Sequence, residues 1–170
     1  VITGNVGSGK TVLTRRFCMD VATKLEGKRK VSVAHVNCRS HPSTSQVLQQ
    51  IASSLDSGHP ERGFSPGEVI QGIRRNIRSR DSHLLLILDE VDVLLRRDNS
   101  DLIYKLLRID EDKEGGGTLS LIMVSQEDSL FSLFEAAIKS RLGESNVLRM
   151  RPYVADELTE IARQRYEASC

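Results

Sequence analysis

No apolar run in this chain approaches the roughly 18 to 20 residues that a membrane-spanning helix needs. No charged segment followed by an apolar stretch opens it, so the expectation is a soluble, intracellular protein without a membrane partner. Cysteine is scarce: Cys18, Cys38 and Cys170 are odd in number, scattered and never arranged as CxxC, which argues against a disulfide framework and a zinc site. His35, His41, His59 and His83 have no metal-ligand spacing. There is no internal repeat, and low complexity is confined to Gly115-Gly116-Gly117, read as a flexible turn. What is present is ordinary: 170 residues, 39% hydrophobic and 28% charged, which suits one compactly folded domain. Charge is uneven. Residues 1–82 carry 13 Lys and Arg against 6 Asp and Glu, and residues 83–170 carry 11 against 17, a hint of an anionic partner for the first half.

Val1-Ile2-Thr3 reads as the stub of a strand, and after the glycines Val12, Leu13, Arg16, Phe17 and Val21 form a stripe at helical spacing. KVSVAHVN (30–37) has strand character, LLLIL (84–88) is a continuous apolar run suited to a strand buried on both faces, and 119–124 and 147–150 supply a fourth and fifth strand. Two helices separate the second and third strands. The first carries Val47, Leu48, Ile51 and Leu55; the second carries Val69, Ile70, Ile73 and Ile77 and opens on Ser65-Pro66-Gly67-Glu68, a capping-box spacing with Pro in the first turn. A further helix is predicted through Leu130, Phe131, Phe134, Ala137 and Ile138. Alternation of β and α along the chain predicts an open α/β sheet of parallel strands with helices on both faces, and ligands at the carboxyl ends of the strands.

The chemistry begins at Gly4-Asn5-Val6-Gly7-Ser8-Gly9-Lys10-Thr11, which satisfies GxxxxGK[ST] between a strand and a helix. Backbone N–H groups of such a loop form an anion nest, and the helix N-terminus adds to the attraction. Lys10 is placed to reach β- and γ-phosphates, and the Thr11 hydroxyl to ligate Mg²⁺. LLLIL ends in Asp89-Glu90: Asp89 is the candidate for the metal shell and Glu90 for the general base on an attacking water. Asp92 reads as a supporting or helix-capping residue. The fourth strand ends in Val124-Ser125-Gln126-Glu127-Asp128, where Gln126 or Ser125 points between nucleotide and acids, while Ser125 or Asp128 equally suits a helix cap. Arg141, in Lys139-Ser140-Arg141-Leu142-Gly143, fits both a plain helix terminus and an arginine finger for an adjacent subunit. Arg74, Arg75, Arg78 and Arg80 lie largely opposite the apolar stripe of their helix, either as a solvated face or as contacts to a phosphate backbone.

The phosphate loop and the acidic pair are those of a P-loop NTPase. HVNCR (35–39), LDEVDVLL (88–95), DLIYKLLRI (101–109), VSQEDSLF (124–131), IKSRLG (138–143) and RPYVADEL (151–158), in that order, resemble the archaeal and eukaryotic origin-recognition and cell-division-control initiators of the AAA+ class. The resemblance implies a three-layer fold with a central five-stranded parallel sheet, ATP or ADP at Gly4 to Thr11, Mg²⁺ near Thr11 and Asp89, catalysis by Glu90, a sensor 1 role for Gln126 and an arginine finger at Arg141. It also implies double-stranded origin DNA, other initiator subunits and the replicative helicase as partners. Location follows source: cytoplasmic and nucleoid-associated if archaeal, nuclear if eukaryotic. The extra helix between strands two and three resembles the initiator-specific insertion that contacts DNA in the family.

Several positions depart from the family pattern. Sensor 1 is usually Asn, one methylene shorter than Gln126, and Glu135-Ala136 stands where Asp-Pro usually precedes the arginine box. The expected organisation is a nucleotide-binding core at 1–150 with a shortened first strand, the start of a helical lid at 151–170, and neither a sensor 2 arginine nor a winged-helix domain within the chain. The expected activity is a weak ATPase. The alternatives are a nucleotide-gated DNA-binding switch with little or no hydrolysis, or another AAA+ adaptor of the transposition or clamp-loading type.

Overall fold

The computed structural model describes residues 1–60, 63–98, 100–109, 116–143 and 146–169. Five strands, β1 (Ile2–Gly4), β2 (Lys30–Asn37), β3 (Ser82–Asp89), β4 (Thr118–Ser125) and β5 (Leu148–Met150), form one sheet in the order β2-β3-β4-β1-β5. Every pairing is parallel. β2 registers on β3 from Lys30 opposite Ser82 to Asn37 opposite Asp89, and Ile2 of β1 lies between Val124 and Leu148. β3 lies between β2 and β4 and is buried from Leu84 to Asp89, as a continuous apolar run demands.

Successive side chains of a strand leave opposite faces, and the core divides accordingly. Leu84, Leu86 and Leu88 join Val36 and Met123 in the larger core, under helices α2 (Thr44–Leu55), α3 (Pro66–Ser79), α4 (Val91–Asp98), α5 (Asp101–Leu107) and α6 (Ala136–Leu142). Leu85, Ile87 and Val124 face the other way, against Cys18 and Val21 of α1 (Lys10–Leu25). Each of these leucines contributes about 1.5–3 kcal/mol relative to an exposed position. The capping box at the start of α3 forms in both directions: the Glu68 N–H donates to Ser65 Oγ at 3.4 Å, and the Ser65 N–H to Glu68 Oε2 at 2.7 Å. The described part of the glycine turn, Gly116-Gly117, packs where a side chain would not fit: a Cβ on Gly117 would lie 2.6 Å from Ile77 Cγ2.

Two local expectations are corrected. In α1 the buried face is Lys10, Thr14 and Cys18, while Val12, Leu13 and Phe17 are exposed. The period is helical but its phase is set at the N-terminus, where the loop turns Lys10 inward. Small residues one and two turns on then bring the helix close to the sheet. The single helix expected through Leu130 to Ile138 is a 3-10 turn (Asp128–Leu133) followed by α6, broken by extended backbone at Phe134 and Glu135. Leu130, Phe134 and Ile138 are all buried, so a spacing of four spans the break and conceals it from the sequence.

Candidate functional site

The phosphate loop leaves β1 at Gly4 and enters α1 at Lys10. Gly4 passes so close to β5 that a Cβ would stand 2.3 Å from the Met150 carbonyl oxygen. Gly9 has φ +83°, and a Cβ there would lie 2.5 Å from the Tyr153 hydroxyl. The Lys10 ammonium is buried and fully engaged, donating to the Gly4 carbonyl (2.7 Å), the Asn5 carbonyl (2.8 Å) and Ser8 Oγ (3.4 Å). A buried cation needs such partners, and phosphate oxygens would replace neutral carbonyls with charge-assisted bonds.

At the second residue of α1, Thr11 Oγ1 donates to Asp89 Oδ2 at 2.6 Å, joining the loop to the end of β3. Asp89 Oδ1 accepts the Glu90 backbone N–H at 3.0 Å, and His35 Nε2 on β2 stands 3.5 Å from Oδ2. Burial works to raise the Asp89 pKa, but the nearby His35 ring, the Thr11 hydroxyl and the Glu90 N–H outweigh it and hold the carboxyl below its ordinary value. Neighbouring Cys38 is pushed up to about 12 by burial and by Asp89, Asp92 and Glu90, so its thiol is inert.

Glu90 sits in the left-handed region at φ +53°, a conformation costing roughly 1–3 kcal/mol for a residue other than glycine. The sharp turn aims its side chain across the strand ends. Oε2 accepts from Arg39 Nε, following β2, and Oε1 accepts from Gln126 Nε2 at 3.4 Å. Ser125 does not cap a helix. It is buried, donates to Asp92 Oδ1 at 2.8 Å and accepts the Glu127 N–H at 3.0 Å, so Asp92 is a support that fixes the end of β4 beside α4.

These groups line one cleft of about 600 Å³, within the roughly 300–1,000 Å³ typical of small-molecule sites. Its polar side is Gly7, Gly9, Lys10, Thr11, Asp89, Glu90, Ser125 and Gln126. Its apolar side is Val6, Val12, Tyr153, Leu158 and Ile161, with Arg165 at the rim. Leu158, Ile161 and Arg165 share a face of α7 (Ala155–Ser169) by their spacing of three and four. The approach to α7 is fixed by Glu157, which accepts the Val154 N–H at 3.0 Å and pairs with Arg151 at 2.6 Å. A cleft of about 640 Å³ at the α1–β2 turn, lined by Glu26, Lys28, Arg29 and Lys30, carries neither a phosphate loop nor a carboxylate pair and lies at the amino ends of the strands.

The donor set suits the ligands the motif implies. Thr11 and Asp89 offer hard oxygens of the kind Mg²⁺ takes alongside phosphates and water, rather than an all-protein cage. The described residues contain no group of three or more His, Cys, Asp or Glu that could hold a metal ion. Lys10, Thr11, Asp89, Glu90 and Gln126 therefore meet in one place. Arg141 does not line the cleft: it is exposed on α6, its guanidinium 5.7 Å from the Tyr104 ring, in a helix closed by Gly143. Of the arginines on α3, Arg74 donates to the Arg108 carbonyl (3.4 Å), and Arg80, just past the helix end, donates to the Leu55 carbonyl (3.2 Å), both uses within the fold. Arg75 is exposed.

Sequence reasoning missed His35 and Arg39 as site residues, and with them the apolar wall. HVNCR and RPYVADEL were legible as phrases, and strand alternation places His35 on the α1 face of β2. Neither signal says which carboxylate a side chain reaches.

The AAA domain family matches residues 1–134. An ORC1-type DNA replication protein 1 from Methanosarcina acetivorans is 30% identical over 166 residues, 97% of this chain and 39% of that protein. The Aeropyrum pernix ORC1 protein in complex with DNA superposes with a TM-score of 0.82 at 29% identity, over 98% of this chain and 43% of that one. The Aeropyrum pernix ORC2 protein, in ADPNP-ADP complexes, gives a TM-score of 0.86 at 25% identity, over 98% and 45%. The chain thus spans about two fifths of the length of the replication protein it resembles. No helix among the described residues is long and apolar enough to cross a membrane. With a parallel five-stranded sheet, a phosphate loop and paired acids at its carboxyl edge, the chain belongs to the AAA domain family, in its origin-recognition and cell-division-control branch.

Proposed function

We propose that this chain is the ATP-binding and hydrolysing core of a DNA replication initiator that binds origin DNA with other initiator subunits and helps load the replicative helicase in the cytoplasm. The observation that carries the reading is the 2.6 Å contact of Thr11 Oγ1 with Asp89 Oδ2 beside the buried Lys10 ammonium, with Glu90 adjacent. Loop N–H groups and Lys10 bind the β- and γ-phosphates, and Tyr153, Val6, Val12, Leu158 and Ile161 enclose the base. Thr11 and Asp89 would hold Mg²⁺, which would supply positive charge against the phosphates. Glu90 takes a proton from water as its oxygen attacks the γ-phosphorus; the bond to the bridging oxygen breaks, giving ADP and phosphate. Gln126 orients that water. Arg141 would serve a neighbouring subunit as an arginine finger once it leaves the Tyr104 ring.

The second reading, a nucleotide-gated switch with little turnover, is favoured by the engagement of both Glu90 oxygens, by Arg39 and by the long Gln126 side chain. Two variants of the full chain test the site and then separate the readings. Lys10→Ala abolishes ATP binding in calorimetry, and an unchanged affinity refutes the site. Glu90→Gln keeps binding and loses turnover with DNA present. A parent protein with no turnover to lose establishes the switch.

A further inference from the structure

Asp89 is surrounded by donors from three elements, and one of them has no role in the reading above. His35 Nδ1 lies 2.9 Å from an Arg15 guanidinium nitrogen on α1. Arginine has donors only, so Nδ1 accepts, and in the neutral ring the proton then resides on Nε2. Nε2 is buried, makes no hydrogen bond, and faces Asp89 Oδ2 at 3.5 Å. The same oxygen receives the Thr11 hydroxyl, and Oδ1 receives the Glu90 N–H. Packing alone does not call for a histidine here. Val31 and Val33 precede it at alternate positions on the same face of β2, and Val31 is packed against the α1-side core.

We propose that His35, oriented by Arg15, is a positioning residue for Mg²⁺: the relay Arg15 to His35 to Asp89 holds the carboxylate in the orientation that receives the ion. This rests on the assignment of Asp89 and Thr11 to the metal. Arg15 fixes the tautomer, Nε2–H restrains Oδ2 from the β2 side, and Thr11 restrains it from α1. The two restraints together prevent rotation of the carboxylate about its Cβ–Cγ bond.

The test is the Mg²⁺ dependence of ATP affinity in the full chain, read with a fluorescent ATP analogue in EDTA and across a Mg²⁺ titration. His35→Val retains strand propensity and branching at Cβ suited to the strand, but loses the ring and its donor. It is expected to raise the Mg²⁺ concentration for half-maximal tightening by roughly 10- to 100-fold, with metal-free affinity unchanged within about twofold. His35→Gln, whose amide nitrogen reaches the Nε2 position, restores most of the dependence, and Arg15→Ala shifts it in the same direction by less. An unaltered Mg²⁺ midpoint in His35→Val overturns the proposal. Should that variant fail to fold by circular dichroism, wild-type midpoints in Arg15→Ala overturn it, since Arg15 is exposed and the fold does not depend on it. Failure of the underlying assignment looks different: the parent chain itself would bind the analogue without any response to Mg²⁺.

Discussion

Gly9→Ala separates two physical roles that meet at one atom. The backbone there is left-handed, with φ +83°, which costs about 1–2 kcal/mol for a residue bearing a Cβ. That part belongs to the loop alone. In a chain of this size it lowers the melting temperature by about 2–4 °C per kcal/mol, so by roughly 2–8 °C. The second part is steric: the new Cβ would lie 2.5 Å from the Tyr153 hydroxyl, the far end of an exposed side chain that can swing outward. Displacing it strains little but opens the apolar wall of the cleft, so this part appears in nucleotide affinity. Tyr153→Ala supplies the partner for a double-mutant cycle. The melting shift caused by Gly9→Ala should be the same in both backgrounds, whereas its effect on ATP affinity should shrink once Tyr153 is gone. Thermal melts and calorimetry of the four proteins give both numbers. A melting temperature untouched by Gly9→Ala refutes the backbone argument. Strictly additive losses of affinity refute the closure of Tyr153 over the loop.

The Arg39–Glu90 pair is partly exposed, a setting in which such pairs contribute about 0.2–1 kcal/mol, so Arg39→Ala should raise single-turnover hydrolysis by up to about fivefold as Glu90 is released; a fall to the level of Glu90→Gln would mean that Arg39 acts on the phosphates instead. Asp89 has a folded pKa below its unfolded value, so its contribution to stability is complete above the ordinary carboxylate range and is lost as pH falls from about 4 through the lowered value. Urea midpoints measured from pH 6 downward should therefore decline less steeply for Asp89→Asn than for the parent. Arg75 is the exposed arginine on α3, and if that face meets DNA, Arg75→Ala should reduce the slope of log affinity against log salt by about 0.9, as measured by fluorescence anisotropy over a salt series. An unchanged slope assigns α3 to solvent.

The elements were legible where one signal dominates. LLLIL reads as a strand buried on both faces, and Ser65-Pro66-Gly67-Glu68 as the start of a helix; both stand as read. The phase of α1 was not legible, because Leu13 and Phe17 outweigh Thr14 and Cys18 in hydrophobicity. The phosphate loop nevertheless fixes the rotation of the helix, and Thr14 confirms it locally by donating to the Lys10 and Thr11 carbonyls at 3.1 and 3.0 Å. The break at Phe134-Glu135 escaped for the opposite reason: burial of Leu130, Phe134 and Ile138 reproduces a helical spacing without a continuous helix.

The site divides in the same way, and the division has a physical origin. Lys10, Thr11, Asp89 and Glu90 were readable as candidates because their placement depends on position along the chain: a glycine loop entering a helix, and acids at the end of an interior strand. His35, Arg39 and Tyr153 act across the fold, through contacts between the ends of β2 and β3 or between the segment preceding α7 and the loop, and no local spacing encodes those. Yet they govern the energetics. Arg39 and Gln126 share the two oxygens of Glu90, and His35 and Thr11 converge on one oxygen of Asp89, so each acid already has protein donors. Ligand binding at this edge is then an exchange of partners, whose net free energy is a small difference between strong terms. For that reason substitutions at the partners, rather than at the acids, are the ones expected to tune affinity and turnover in either direction.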